Sequence, residues 1–315
     1  MKQIRLKRGE MEPVLQILVL LSYAVVGGIV FGIVALGIVV ALFGTGMMGE
    51  IMTGVPTALS ADSFKILLFI STSIGTFLVP ALALAWTEKI PVKKFYDFEK
   101  TNKLNYLLVF LLILVSLPLM ELFIEFNQGM SLPERWKDLE AWMRKAEDDA
   151  MRTTYTLLTF RNWWDLPVNL LVVAVAPGIA EEFMFRGGLQ RSIGRIVRNP
   201  HVAIWGSAII FSAIHMQFFG FIPRMLLGAV FGYIYFWTKN LWLPIFAHFV
   251  NNAYAVLVAW NLSRQNIPLE QENMSYELHW TVYVLSTIAT IGILYFIKKR
   301  TDNEHRTVGS SLQDG

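Results

Sequence analysis

Charge is the first thing this sequence lacks. Charged side chains make up 16% of its 315 residues, where a soluble domain carries about 25%. The shortfall is uneven, because long runs hold no charge at all and short loops hold nearly all of it. A water-soluble globular enzyme is excluded on that ground. Cysteine is absent, which removes disulfides, thiolate nucleophiles and cysteine-ligated metals together. Also missing are an H-E-x-x-H zinc helix, a G-x-S-x-G serine elbow and a G-x-G-D aspartyl motif. The net charge is +3, but the basic residues flank apolar runs, where membrane topology accounts for them. No nucleic-acid partner is implied.

What is present is apolar sequence in lengths that suit a bilayer. Hydrophobic residues reach 55% and the mean hydropathy is +0.49. A helix needs about 20 apolar residues to cross the hydrocarbon core. The chain offers eight such spans: Val14–Phe43, Phe64–Trp86, Leu104–Phe123, one starting at Leu166, Val202–Phe219, Ile222–Trp237, Leu241–Trp260 and Leu278–Ile297. The expected fold is therefore all-α, a polytopic membrane bundle of about eight transmembrane helices. The first run is too long for a signal-peptide core and reads as a retained anchor. Lys and Arg cluster before the first span, in the second loop, after the fourth span and in the tail, which puts both termini in the cytoplasm. In a bacterium the membrane would be the plasma membrane.

The organisation expected from these features has five parts. Residues 1–13 form a cytoplasmic segment, 14–126 carry three spans, and 127–165 form an extramembrane loop. Residues 166–298 hold a core of about five spans, and 299–315 form a cytoplasmic tail expected to be disordered. In the loop, Leu139, Trp142, Met143 and Ala146 recur at helical spacing among charged residues. An amphipathic helix on the membrane surface is the plain reading, and a cap over a site in the bundle is the weaker alternative.

Ionisable residues inside a span are functional candidates, because hydrocarbon penalises them. They cluster in the second half of the chain. The fourth span carries Glu181, Glu182 and Arg186, the fifth His215, and the seventh His248, Asn251 and Asn252. Glu182 and Arg186 are four apart and can pair, while Glu181 points about 100° away from Glu182. His248 and Asn252 are also four apart and can aim at one spot. Glu181 reaches mid-helix only if the fourth helix runs on to about Val197, kinked near Pro177 and loosened at Gly187 and Gly188. Two imidazoles and a carboxylate in a water-poor site suit activation of water. Glu181 would take a proton from a water held also by His215, and His248 and Asn252 would donate to the oxyanion formed on a peptide carbonyl. The set Glu181, His215 and His248 would equally serve as ligands of a divalent metal such as zinc, and spacing does not separate the two schemes.

These residues resemble the CAAX protease and bacteriocin-processing (CPBP, or Abi) family of intramembrane proteases, which includes the type II CAAX prenyl endopeptidases. Its motifs E-E-x-x-x-R, F-x-x-x-H and H-x-x-x-N stand here, in order, as Glu181 to Arg186, Phe211 to His215 and His248 to Asn252. The resemblance covers about residues 166–255. It implies an all-helical protease in which Glu181 and His215 activate water, His248 and Asn252 stabilise the oxyanion, and Glu182 and Arg186 support the site. A glutamate mechanism is preferred over a metalloprotease one. The implied partners are the lipid bilayer and a membrane-associated protein or peptide substrate, CAAX-like or lipidated. The competing reading is a non-proteolytic scaffold, immunity protein or transporter that uses the same cluster for binding.

Overall fold

A computed structural model of the chain describes residues 10–54, 56–57, 59–269 and 278–311. Lys2, Arg5, Lys7 and Arg8 of the expected cytoplasmic segment lie outside these. The first uncharged run forms α1 (Pro13–Phe43), which opens on a proline, where a missing amide N–H costs nothing. It stops at Gly44, whose φ of +77° favours glycine. The second span is α2 (Ala61–Thr87), wound as π-helix over Leu68–Leu78. The third is α3 (Lys103–Gln128), whose first turn is capped by the Asn102 side chain accepting the Leu104 amide at 2.9 Å.

The loop helix follows as α4 (Lys137–Leu157). Beyond it come α5 (Asp165–Val197), α6 (Pro200–Ala213), α7 (Phe221–Thr238), α8 (Trp242–Arg264) and α9 (Trp280–Ser311). Among the described residues, seven helices are long and apolar enough to cross a membrane. The protein is a polytopic helical bundle.

Two expectations need correction. The fifth span ends at Ala213 instead of Phe219, so α6 has 14 residues, roughly 21 Å, and His215 sits in the turn behind it. The chain turns there because Asn127 of α3 pins it, accepting the Ile222 amide at 2.8 Å and donating to the Phe218 carbonyl at 3.2 Å. Met216 takes up the bend with a φ of +53°. The tail is helical up to Ser311, where disorder was expected. No glycine or proline interrupts 298–308, and Arg300 pairs with Glu304 one turn on at 3.1 Å.

The bundle is organised around α5. Of its most apolar stretch 61% is buried, against 17% for α1 and 17% for α9. Close packing on α5 comes from glycines. A Cβ on Gly178 would stand 3.3 Å from the Phe249 amide nitrogen of α8, and one on Gly187 would run into the Tyr96 ring. Arg186 and Gln190, four apart on α5, donate to the carbonyls of Gly228 (2.9 Å) and Gly232 (3.1 Å), four apart on α7. Two π-helical stretches, Leu170–Val175 and Phe183–Gln190, flank the segment bearing Glu181 and Glu182. The first adjoins Pro177 and the second spans Gly187 and Gly188, where the sequence predicts a kink and a loosening.

Candidate functional site

The site grows from one buried carboxylate. Glu182 is fully buried, and its Oε1 accepts from Arg186 Nη1 at 2.7 Å and from His248 Nδ1 at 2.8 Å. The helical repeat puts Arg186 on the same face one turn later, and α8 brings His248 from across the bundle. Arg186 is 1% exposed, and its guanidinium lies over Phe211 (4.8 Å) and Phe231 (5.4 Å). Those two rings also hold the imidazole of His248, which stacks on Phe231 and meets Phe211 edge-on. A buried pair gains little net stability, but removing one partner strands the other charge, at about 3–5 kcal/mol.

Hydrogen-bond partners decide both histidine tautomers. Glu182, paired with Arg186, is an acceptor only, so Nδ1 of His248 carries a proton. His248 Nε2 then faces Glu181, whose Oε2 lies 3.9 Å away. His215 Nδ1 lies 2.8 Å from the Phe211 carbonyl, also an acceptor only, so it too carries a proton. Each neutral ring therefore offers the lone pair of Nε2. The His215 ring packs edge-on against Phe211 at 5.1 Å, so this one phenylalanine touches both histidines and Arg186.

Glu182, Arg186 and His248 are thus hydrogen-bonded together, Glu181 stands 3.9 Å from His248, and His215 joins through Phe211. Asn252 stands apart in its bonding. Its amide donates to the Val173 carbonyl at 3.0 Å, and its oxygen accepts from Asn251 at 3.1 Å. The reason lies four residues beyond Val173, where Pro177 has no N–H to offer that carbonyl. One amide hydrogen of Asn252 stays uncommitted by this bond. His201 and His279 are exposed and bond to Tyr233 and Thr281.

The amphipathic α4 packs over the turn that carries His215. Trp142 lies tilted against Phe218, ring centroids 5.3 Å apart, and the Arg144 guanidinium lies 4.2 Å over Phe219. Glu147 accepts the Phe219 amide at 3.0 Å and the Gln217 side chain at 3.5 Å. Burial pushes the Glu147 carboxyl above the usual carboxylate range. At the start of α4, a side-chain bond from Arg144 and the Leu132 amide hold Glu140 down, to about 2.

Sequence reasoning missed Phe231, Gln217, Glu147 and Arg224. Arg224 stands one turn into α7 and donates to Gln217 Oε1 at 2.6 Å. Its charge bears on both Glu181 and His215. A signal existed, because an arginine one turn inside an apolar span follows the same rule that selected Glu181. Among the described residues, no three His, Asp or Glu side chains are grouped so as to hold a metal ion. Glu181, His215 and His248 in this arrangement do not fit one, so no chemical step is routed through a metal.

Fold and site define a polytopic membrane protein with a buried polar centre built from three helices and the turn after α6. Residues 163–254 match the family described as Type II CAAX prenyl endopeptidase Rce1-like. This segment is therefore similar to a family of membrane proteases, and the family match covers under a third of the chain. Three curated bacterial proteins are similar. The uncharacterized protein YpbD of Bacillus subtilis is 30% identical over 27% of this chain and 42% of its own length. The putative membrane peptidase YdiL of the same organism is 27% identical over 36% and 45%. The membrane-embedded CAAX protease MroQ of Staphylococcus aureus is 27% identical over 36% and 48%. The chain thus spans less than half the length of each of these relatives. No solved structure matches it.

Proposed function

We propose that the protein is an intramembrane endopeptidase that hydrolyses a peptide bond in a membrane-associated protein or peptide. The observation that carries this reading is the carboxylate of Glu181 facing His248 Nε2 at 3.9 Å, beside a Glu182 already neutralised by Arg186. One glutamate is thereby reserved for structure and its neighbour is left for chemistry. A water between Glu181 and His215 Nε2 gives its proton to the carboxylate and adds through oxygen to the peptide carbonyl. Asn252 donates its uncommitted amide hydrogen to the oxyanion, and His248 joins it when the proton taken up by Glu181 is shared to its Nε2. Collapse returns the Glu181 proton to the leaving amine. The substrate class we propose is CAAX-like or lipidated, supported by the family description that residues 163–254 match.

We place both termini in the cytoplasm, with the loop Lys89–Lys103 and the α7–α8 turn on the same face, an arrangement in which the shorter α6 crosses as an eighth span beside the seven longer ones. The two do touch, through the Glu99 amide on the Lys239 carbonyl at 3.1 Å. The cysteine-free chain makes this testable by single cysteines at Lys100 and Lys137, which membrane-impermeant maleimide should label from opposite sides.

The activity is tested by cleavage of a membrane-anchored peptide library by purified protein in vesicles, beside Glu181→Gln and His215→Gln. Both variants should lose activity by at least about 10³-fold while keeping their thermal midpoints. Cleavage that survives Glu181→Gln rejects this mechanism. Absence of any cleavage by the wild type favours the non-proteolytic scaffold reading instead.

A further inference from the structure

Counting donors and acceptors around the proposed site exposes an imbalance. A tetrahedral oxyanion needs donors, yet the groups named so far are mostly acceptors. Glu181 is an acceptor, and His215 and neutral His248 each present a lone pair at Nε2. Arg186 is already bonded to Glu182 and to the Gly228 carbonyl. Asn252 has given one hydrogen to Val173.

One strong donor is uncommitted. Arg224 Nη1 is buried and has no hydrogen-bond partner in the protein. A buried guanidinium nitrogen left without an acceptor is costly, by about 1–3 kcal/mol or more, and such a group calls for an explanation. The side chain is also held in place. Gln217, two residues beyond His215, accepts from Nη2 at 2.6 Å, and α4 fixes Gln217 through Glu147. Gly220 leaves the space this requires, since a Cβ there would stand 3.4 Å from Arg224 Nη2 and 3.6 Å from Glu147 Oε1. Residues 215–224 thus carry both a histidine acceptor and an arginine donor, the latter tied back toward the former through Gln217.

We infer that Arg224 is a further catalytic residue, whose free Nη1 hydrogens bind the carbonyl oxygen of the scissile bond as it becomes an oxyanion. The inference rests on the proposed hydrolysis. In the resting site the Arg224 charge acts on the carboxylates of Glu147 and, less strongly, Glu181. When water attacks, its proton moves to Glu181, the new carbon–oxygen bond forms, and the carbonyl π pair settles on oxygen. The negative charge leaves the carboxylate and appears on the oxyanion, so the site's net charge is unchanged. A cation whose field already acts on Glu181 is suited to such a transition state, and it costs no reorganisation because Gln217 already holds it. On collapse the carbon–nitrogen bond breaks and the amine leaves with the Glu181 proton.

The test uses the full chain in vesicles with a membrane-anchored peptide that the wild type cleaves. Arg224→Ala should lower kcat about 10²–10³-fold, as loss of one oxyanion donor does, with KM within about twofold. Added methylguanidinium should restore at least about tenfold of the lost rate. Arg224→Lys, which keeps the charge and the fold, should fall between the two. An unchanged kcat in Arg224→Ala, or a loss that methylguanidinium does not rescue, overturns the inference and leaves the Glu181 mechanism standing. A second arm does not depend on turnover. A membrane-anchored peptidyl phosphinate, an anionic tetrahedral mimic, should bind the wild type at least about tenfold tighter than the matching carboxamide, and Arg224→Ala should erase that preference. Equal binding of the phosphinate to wild type and Arg224→Ala overturns it as well. If Glu181→Gln cleaves as well as the wild type, the hydrolytic reading fails separately.

Discussion

Helices α1 and α5 are of similar length and answer opposite demands. Along α1 the large apolar side chains point outward, with Val25, Ile29, Ile33 and Leu42 each more than half exposed, and lipid is their solvent. Along α5 the outward surface is small, and its polar residues Glu182, Arg186, Gln190 and Ser192 are turned inward and bonded. In water the polar face would be outside. In a bilayer the cost of an unpaired polar group drives it to the centre of the bundle. The most polar span is therefore the most buried one, and the site lies where that inversion is strongest.

The comparison can be broken from the α5 side first. Arg186→Met should be among the most damaging changes, because it strands Glu182 and removes the donor to Gly228. A loss of about 3–5 kcal/mol is expected, read as a fall in thermal midpoint or in yield of folded protein. A variant as stable as the wild type would mean that the buried pair is not what holds α5 to α7. His248→Phe keeps a ring against Phe231 but leaves Glu182 with one partner fewer, and about 1–3 kcal/mol should be lost.

Packing comes next. Gly187→Ala forces a methyl into the Tyr96 ring, and overpacking of this kind costs about 1–3 kcal/mol. Tyr96→Leu in the same chain should recover part of the loss, and failure to recover it would point to the π-helical backbone as the cause. On the other helix, Ile33→Ala faces lipid and should move the midpoint hardly at all, by less than about 0.5 kcal/mol. An effect as large as that of Gly187→Ala would show that α1 has a protein partner on that face.

The smallest effect is a pH dependence in α4. Glu140 has its carboxyl held low by Arg144 and the Leu132 amide, so its stabilising contribution is full above the unfolded value of 4.5. That contribution is lost as pH falls through the folded value of about 2. Protection of the Leu132 amide from hydrogen exchange should hold at pH 5 and decline below 4.5. Glu140→Gln should remove the dependence, and a decline that begins above pH 6 would assign it to another group.

Much of the bundle was legible because lipid imposes a simple rule on composition. Runs without charge became helices close to the expected limits, and the expected long fourth span is the continuous α5. Glu182 and Arg186 could be paired from their spacing alone, since a four-residue offset is a fact of helix geometry. The end of α6 was not legible. An apolar run continues through Phe218 and Phe219, and only Asn127, some 90 residues earlier, turns the chain at that point. Asn252 was half legible for a similar reason. Its offset from His248 suggests a shared target, but Pro177 on another helix leaves a carbonyl that takes one of its two amide hydrogens. Arg224 went unnoticed because its position at a span edge looks like ordinary interfacial charge.

By itself, the sequence determined that the protein lies in a membrane as helices and which spans carry ionisable groups. Local spacing and the cost of charge in hydrocarbon suffice for both. The tertiary structure alone decided which nitrogen of each histidine carries the proton, which glutamate is neutralised, and where an arginine is left with a free donor. Those outcomes depend on partners brought from other helices, and no pattern along one segment encodes the distance between two.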